Sequence, residues 1–336
     1  MGLPPFHRYS FFVVILLFSP SDDEITHRVS LLLKYVGADY LVITDEILSL
    51  SFRLGLKTDN QDALVIQGKR LSACDVKVIW YYRFLRCPRA LYNRIAECTN
   101  QELASQMSLE TTSLYSFLPR LFPLASIVGD VDRLTTNKLQ ELIEAEKAGL
   151  LIPDTFVISE KTSLLEIFGN YSNGIVVKSL YNAQVLYLKG GRFPMYVKLV
   201  HSRDLDRLPY RFFPSLVQER IVKKCDVRVF YLAGVCYGVC VSTEDMVDHV
   251  DFRKYGGIEK SRFTRYCLDP DLVDKIHEFM RRMGLAMGSL DFVLTPSNEL
   301  VFLEVNNNGS LETLDNIYGF EITRAIVEHL CKLNYQ

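Results

Sequence analysis

Residues 288–309 constrain this chain more than any other stretch. Gly288-Ser289-Leu290-Asp291-Phe292-Val293-Leu294 and Leu300-Val301-Phe302-Leu303-Glu304-Val305-Asn306 are apolar runs on either side of Thr295-Pro296-Ser297-Asn298-Glu299, a turn-forming cluster. The pattern predicts a β-hairpin. Asp291 falls on its first strand, Glu304 and Asn306 on its second, and residues two apart share a strand face. Three hard oxygen donors on paired strands suit Mg²⁺, which takes carboxylate and carbonyl oxygens and is commonly shared with substrate phosphates. A hairpin with one solvated, acidic face would carry the same residues.

The segments upstream add to this. Asn137-Lys138-Leu139-Gln140-Glu141-Leu142 opens a helix whose apolar positions Leu139, Leu142 and Ile143 recur at helical spacing, with Gly149 as its stop. Leu150 to Ile158 reads as a turn into a strand. Gly174-Ile175-Val176-Val177-Lys178 is a β-branched run ending in a lysine. Leu216-Val217-Gln218-Glu219-Arg220-Ile221 and Asp226-Val227-Arg228-Val229-Phe230 follow. The order is a helix with a leading lysine, Gly-Leu-x-x-Pro-x-Thr, a strand lysine, Gln-Glu-x-Ile, Asp-x-Arg, Asp-Phe and Glu-x-Asn. In this order the chain resembles the ATP-grasp superfamily of carboxylate ligases, from about Asn137 to Gly309.

The resemblance implies an α/β chain of the α+β ATP-grasp type, with an N-terminal Rossmann-like domain before a two-lobed ATP-grasp module. The expected boundaries are residues 11–123 for the N-terminal α/β domain, 124–217 for the central lid and 218–336 for the catalytic domain. Strands are expected at Phe11–Phe18, Asp39–Ile43 and Val76–Tyr82, with a first crossover helix near Asp23–Val36. Pro88 to Leu118 is helical in character, and a closing helix is expected at Phe320–Leu333.

Composition narrows the function classes. A length of 336 residues suits two or three domains, and 49% hydrophobic with 23% charged residues is ordinary for a globular protein. A net charge of −2 argues against a general nucleic-acid binder, which needs a basic excess. Eight cysteines form no Cys-x-x-Cys pair, and Cys236 and Cys240 lack companions for a zinc site. They read as scattered buried thiols of a reducing cytoplasm. The apolar run Phe11–Phe18 is too short to span a bilayer and leads into Ser19-Pro20-Ser21-Asp22-Asp23-Glu24 without a small-residue cleavage site. It reads as a buried parallel strand, so no membrane association is expected. Met1 to Ser10 has no structural role the sequence names.

Ile79-Trp80-Tyr81-Tyr82-Arg83 contains the only tryptophan. A strand end with core-packed aromatics accounts for it. It is also similar to the Trp-Tyr-Arg-Arg sequence of one ATP-grasp branch, the maturases of ribosomally made peptides that include the microviridin (graspetide) ligases. Here Tyr82 stands for the first arginine of that pattern. The opening strand, Ser-x-x-Asp and helix resemble the grasp-with-spasm group of those maturases, as does Asp251-Phe252-Arg253, with Phe in place of Trp.

The resemblance also implies roles. Lys138 and Lys178 contact the ATP phosphates, as point charges suited to that task. Gln218, Glu219 and Ile221 form an interdomain hinge whose backbone meets adenine, and Asp226 contacts ribose or substrate. Arg228 and Arg253 are the electrophilic groups, since guanidinium forks match phosphate and carboxylate oxygens; an ion pair between Arg228 and Asp226 on one strand face would be the plain alternative. Arg253, Lys254, Lys260, Arg262 and Arg265 make a basic stretch, either a solvated loop or a dock for an acidic peptide.

The expected function is ATP-dependent formation of side-chain esters or amides in a precursor peptide, leader plus core, through an acyl phosphate, with ATP and Mg²⁺ as cofactors. A homodimer is compatible with this reading, which leaves the oligomeric state open. Ligases of free amino acids, and a non-catalytic nucleotide-binding regulator, are the competing functions. The aromatic region from Val185 to Phe213, with Tyr187, Phe193, Tyr196, Tyr210, Phe212 and Phe213, would either line a leader groove or pack the lid's own core.

Overall fold

The computed structural model describes residues 14–45, 52–54, 64–66, 69–84, 100–131, 137–181, 185–188, 191–194, 197–242 and 262–335, with backbone alone at 52, 185–188 and 191–194. It divides into two compact units, Met1–Leu134 with Gly319–Gln336, and Thr135–Tyr318.

In the first unit β1 (Val14–Ser19), α1 (Glu24–Tyr35) and β2 (Tyr40–Thr44) make a β-α-β crossover. A small antiparallel sheet follows, β3 (Phe52–Leu54), β4 (Leu64–Ile66) and β5 (Lys69–Leu71). Then come β6 (Val76–Tyr81), α2 (Gln101–Phe117) and β7 (Ser126–Gly129). The main sheet is all parallel, in the order β2-β1-β6-β7. A parallel strand covered on both faces needs a continuous apolar run, and Ile15, Leu16, Leu17 and Phe18 are all fully buried. The described part of this strand starts at Val14, and the helix expected from Pro88 is described only from Gln101. Asp23 caps α1 by accepting from the Thr26 amide at 2.8 Å and also holds Arg83 at 3.1 Å. Trp80, Tyr81 and Tyr82 are core residues, which is what the strand-end reading requires. Gly129 sits at φ +127°, where a Cβ would lie 2.0 Å from the Tyr81 carbonyl oxygen, so only glycine fits.

The second unit opens with α3 (Lys138–Lys147), β8 (Thr155–Glu160), α4 (Lys161–Asn170) and β9 (Ile175–Lys178). The hairpin β10 (Val185–Leu188) and β11 (Gly191–Pro194) follows, then β12 (Lys198–Leu199), α5 (Ser202–Arg207) and β13 (Arg211–Glu219). Strands β12-β9-β13-β8 form an antiparallel sheet whose core holds Leu164, Ile167, Ile175, Leu205 and Val217. Phe212 packs against that core, whereas Tyr210 and Phe213 are exposed. The side chains of Tyr187, Phe193 and Tyr196 lie outside the described residues.

Next are β14 (Cys225–Leu232), β15 (Val235–Ser242), β16 (Phe263–Tyr266), α6 (Pro270–Met283), β17 (Met287–Leu294), β18 (Leu300–Asn306) and α7 (Glu312–Ile317). These strands form an antiparallel sheet in the order β16-β15-β14-β17-β18. One of its faces packs on α3 and α6, with Val227, Val229, Leu290, Phe292 and Phe302 meeting Leu142, Ala145, Ile276, Phe279 and Met280. Strand alternation sends Asp226, Arg228 and Asp291 to the opposite face. The last helix, α8 (Glu321–Asn334), packs on α1 and β6 of the first unit and buries Ile322, Ile326, Val327 and Leu330. Among the described residues no helix is long and apolar enough to cross a membrane.

Candidate active site

β14, β17 and β18 carry a row of alternating charge on the face turned away from α3 and α6. Asp291 is the cross-strand partner of both Arg228 and Glu304. Arg228 clasps Asp291 with two parallel bonds, Nε to Oδ1 at 2.7 Å and an Nη to Oδ2 at 2.9 Å. Lys138, at the start of α3, reaches Glu304 at 3.1 Å, and Lys223 reaches Asp226 at 2.7 Å. Three carboxylates thus meet three cations. Asp291, Glu304 and Asp226 all hold Arg228 more firmly protonated than usual, with Asp291 the strongest. Asp291, rather than the Asp226 of the plain alternative, gives Arg228 its bidentate partner. Residues i and i+2 of one strand are farther apart than residues directly opposite on neighbouring strands, so Arg228 takes Asp291 and Asp226 takes Lys223.

A bulge in β18 shapes the same face. The register moves between Asp291 and Phe292, whose partners are Glu304 and Phe302, so Leu303 is the extra residue. Phe302 and Val305 both belong to the core, while Leu303 and Glu304 between them serve the charged face. Asn306 lies two residues beyond Glu304 and shares its face; its side-chain oxygen accepts from the Asn308 amide at 3.1 Å. The loop turns closely over β17 here, and a Cβ on Gly309 would sit 2.9 Å from Ser289.

The donor set suits Mg²⁺. Two carboxylates and one amide lie on a single face, and each carboxylate oxygen engaged by one cation retains a lone pair. Among the described residues no three His, Cys, Asp or Glu side chains gather as a metal cluster, so Asn306 is needed as the third donor.

Beside this face is a cavity of about 180 Å³, lined by Pro153, Val176, Lys178, Val197, the run Gln218 to Lys223, Val293 and Leu303. Val293 and Leu303 come from the acidic hairpin, and Lys178 and Val176 from β9. The hinge backbone is partly committed. Glu219 donates its amide to the Asp154 carbonyl at 3.0 Å, Arg220 donates to Gly174 at 3.0 Å, and the Glu219 carboxylate accepts from the Asp154 amide at 3.0 Å. The base contact expected of Glu219 is therefore left to its carbonyl. Arg253, Lys254 and Lys260 lie outside the described residues; Arg265 is described and stacks on Tyr318 at 4.5 Å. Arg220 and Lys223 line the cavity and were not singled out by sequence, although the Lys223-Lys224 pair directly after the hinge was a signal for them. Glu141, buried in α3, also went unnoticed. It accepts from the Val305 amide at 2.9 Å, a role that an acid in a first helical turn does not announce.

No family model and no curated protein matches this sequence. Solved structures do match it. A RiPP-associated ATP-grasp ligase from Chryseobacterium gregarium, in complex with ADP and a leader and core peptide, superposes with TM-score 0.81 at 22% identity, over 95% of this chain and 97% of that one. The chain has the ATP-grasp fold. The macrocyclase MdnC from Microcystis aeruginosa MRC, bound with its precursor peptide MdnA, matches with TM-score 0.77 at 20% identity, over 95% of this chain and 99% of that chain. The ATP-grasp ligase PsnB, complexed with a phosphomimetic precursor variant, Mg and ADP, gives 0.75 at 14% identity, over 96% and 98% of the two chains. Within this ATP-grasp fold the cavity and the charged face belong to one compact unit, residues 135–318.

Proposed function

We propose that this protein is an ATP-dependent ligase that closes side-chain ester or amide rings in a ribosomally made precursor peptide. The observation that carries the reading is the adjacency of the Lys178 cavity and the charged face of Asp291, Glu304 and Arg228, through Val293 and Leu303 of one hairpin. In this reading the lid spans residues 124–217 and the catalytic lobe begins at Gln218. Lys138 and Lys178 bind the phosphates of ATP. The Glu219 carbonyl and the Ile221 amide meet the base, and Asp226 meets ribose or substrate. Asp291, Glu304 and Asn306 would hold Mg²⁺, which when bound would supply positive charge for phosphoryl transfer. Arg228, fixed by Asp291, adds guanidinium charge on the same face, and Arg253 is assigned the second electrophilic role.

A peptide carboxylate oxygen attacks the γ-phosphorus and ADP leaves. A hydroxyl or amine of the peptide then attacks the acyl carbon, phosphate leaves, and the nucleophile's proton goes to solvent. The peptide loses one water for each bond formed. Incubation with ATP, Mg²⁺ and a short peptide encoded beside this protein should lower the peptide mass by one water per ring and release one ADP for each. A core without its leader should react far more slowly, because remote contacts supply part of the binding energy. Activity on free amino acids alone, or equal reaction with and without leader, defeats the peptide reading.

A further inference from the structure

One polar pair, of which Gln218 lines the cavity, has its donor and acceptor roles set by its neighbours. Gln218 on β13 lies between Thr155 on β8 and Val176 on β9, its direct partners across the sheet, and both Gln218 and Val176 line the cavity. The Thr155 hydroxyl donates its single proton to the Pro153 carbonyl at 2.7 Å. Its oxygen can then only accept, and the Gln218 side-chain NH₂ supplies the bond at 2.8 Å. The sense of the Gln218 amide is therefore set, with its nitrogen toward Thr155. Gln218 is 2% exposed, and its Oε1 has no hydrogen-bond partner. A buried acceptor left without a donor is destabilising, so the wall favours an occupant that brings an N–H.

We propose that Gln218 Oε1 reads the edge of the nucleotide base and that Thr155 is the positioning residue that makes this edge a donor-seeking one. Resting on the nucleotide-site reading above, this assigns base choice to a side-chain pair rather than to the hinge backbone alone. An exocyclic amine, as on adenine, satisfies Oε1. A carbonyl at the same place, as on hypoxanthine, sets acceptor against acceptor, and the amide cannot turn to meet it because Thr155 has no second proton to give. A site with a fixed polar partner discriminates strongly against the wrong group.

The test compares ATP with inosine triphosphate, in calorimetric affinity and in turnover, on the full chain with Mg²⁺. The wild type should bind ATP at least about tenfold more tightly. Thr155→Val, which keeps the side-chain shape but removes the hydroxyl, should shrink that preference toward unity. Thr155→Ser should restore it. Gln218→Leu should abolish the preference and weaken ATP. A wild type that treats both nucleotides alike overturns the proposal without any variant, as does an unchanged ratio in folded Thr155→Val. A wild type that binds neither nucleotide fails the nucleotide-site reading itself, which is a different result.

Discussion

A lysine at the end of an apolar strand tends to have a purpose, because burying an unpaired ammonium is costly. Lys178 ends β9 and lines the cavity. Lys178→Ala is expected to abolish ATP turnover while the thermal unfolding midpoint stays near wild type; hydrolysis at the normal rate would make the lysine structural. The thiols give a second prediction at this scale. Burial, followed by a hydrogen bond to Cys240, pushes the Cys225 thiol up to about 12, and burial pushes Cys236 up to about 11. Unfolded thiols titrate near about 8.5, so folding holds these two protonated. That stabilisation is complete below about pH 8.5 and is lost as pH rises toward about 11–12. Only thiolates alkylate readily. At pH 8 iodoacetamide should label exposed Cys74 and Cys267 while sparing Cys225 and Cys236. Rapid labelling of Cys225 in the native protein, read by peptide mass mapping, would contradict this.

At the scale of elements, sequence patterns located β1, β2, β6, α1, α3, α8 and the acidic hairpin, because period-two and period-3.6 patterns survive in any apolar face; β3 to β5, β7, β15, β16 and α6 were not among the expectations. The patterns did not show how α3 grips β18, nor the bulge at Leu303, since both depend on which neighbour a strand meets. β18 is an edge strand, and its outward amides need partners from elsewhere. Phe302 donates to the Leu151 carbonyl at 2.7 Å and Val305 to the buried Glu141 carboxylate at 2.9 Å. Val305 lies between Glu304 and Asn306, so the clasp also steadies both donors. Glu141→Leu should lower stability by about 1–3 kcal/mol in urea unfolding and raise the Mg²⁺ concentration needed for half-maximal turnover. Glu141→Gln, which still offers an acceptor, should recover most of both. A Mg²⁺ requirement that stays at the wild-type value in Glu141→Leu would confine the residue to stability. Sequence offered Asp226 as the plain alternative partner of Arg228 and did not show Asp291 for a related reason: same-strand spacing is visible in a chain, and cross-strand register is not.

At the scale of the molecule, the first unit is built from two segments that flank the second in sequence. α8 contributes Ile322, Ile326, Val327 and Leu330 to the packing around α1 and β6. Removing residues 319–336 should strip hydrogen-exchange protection from β1 and β6 while β14 and β17 keep theirs. Protection unchanged at β1 would mean that α8 only decorates the unit. The arrangement also bears on how the protein is made. A ribosome delivers residues 1–134 well before the piece that completes their core, which follows the whole of residues 135–318. At about 5–20 residues per second, the unfinished unit waits roughly 10–40 s with the apolar surface meant for α8 uncovered. During translation the order of maturation is thus reversed: the segment synthesised second can finish first, and the nascent N-terminal segment is the one that a chaperone would shield.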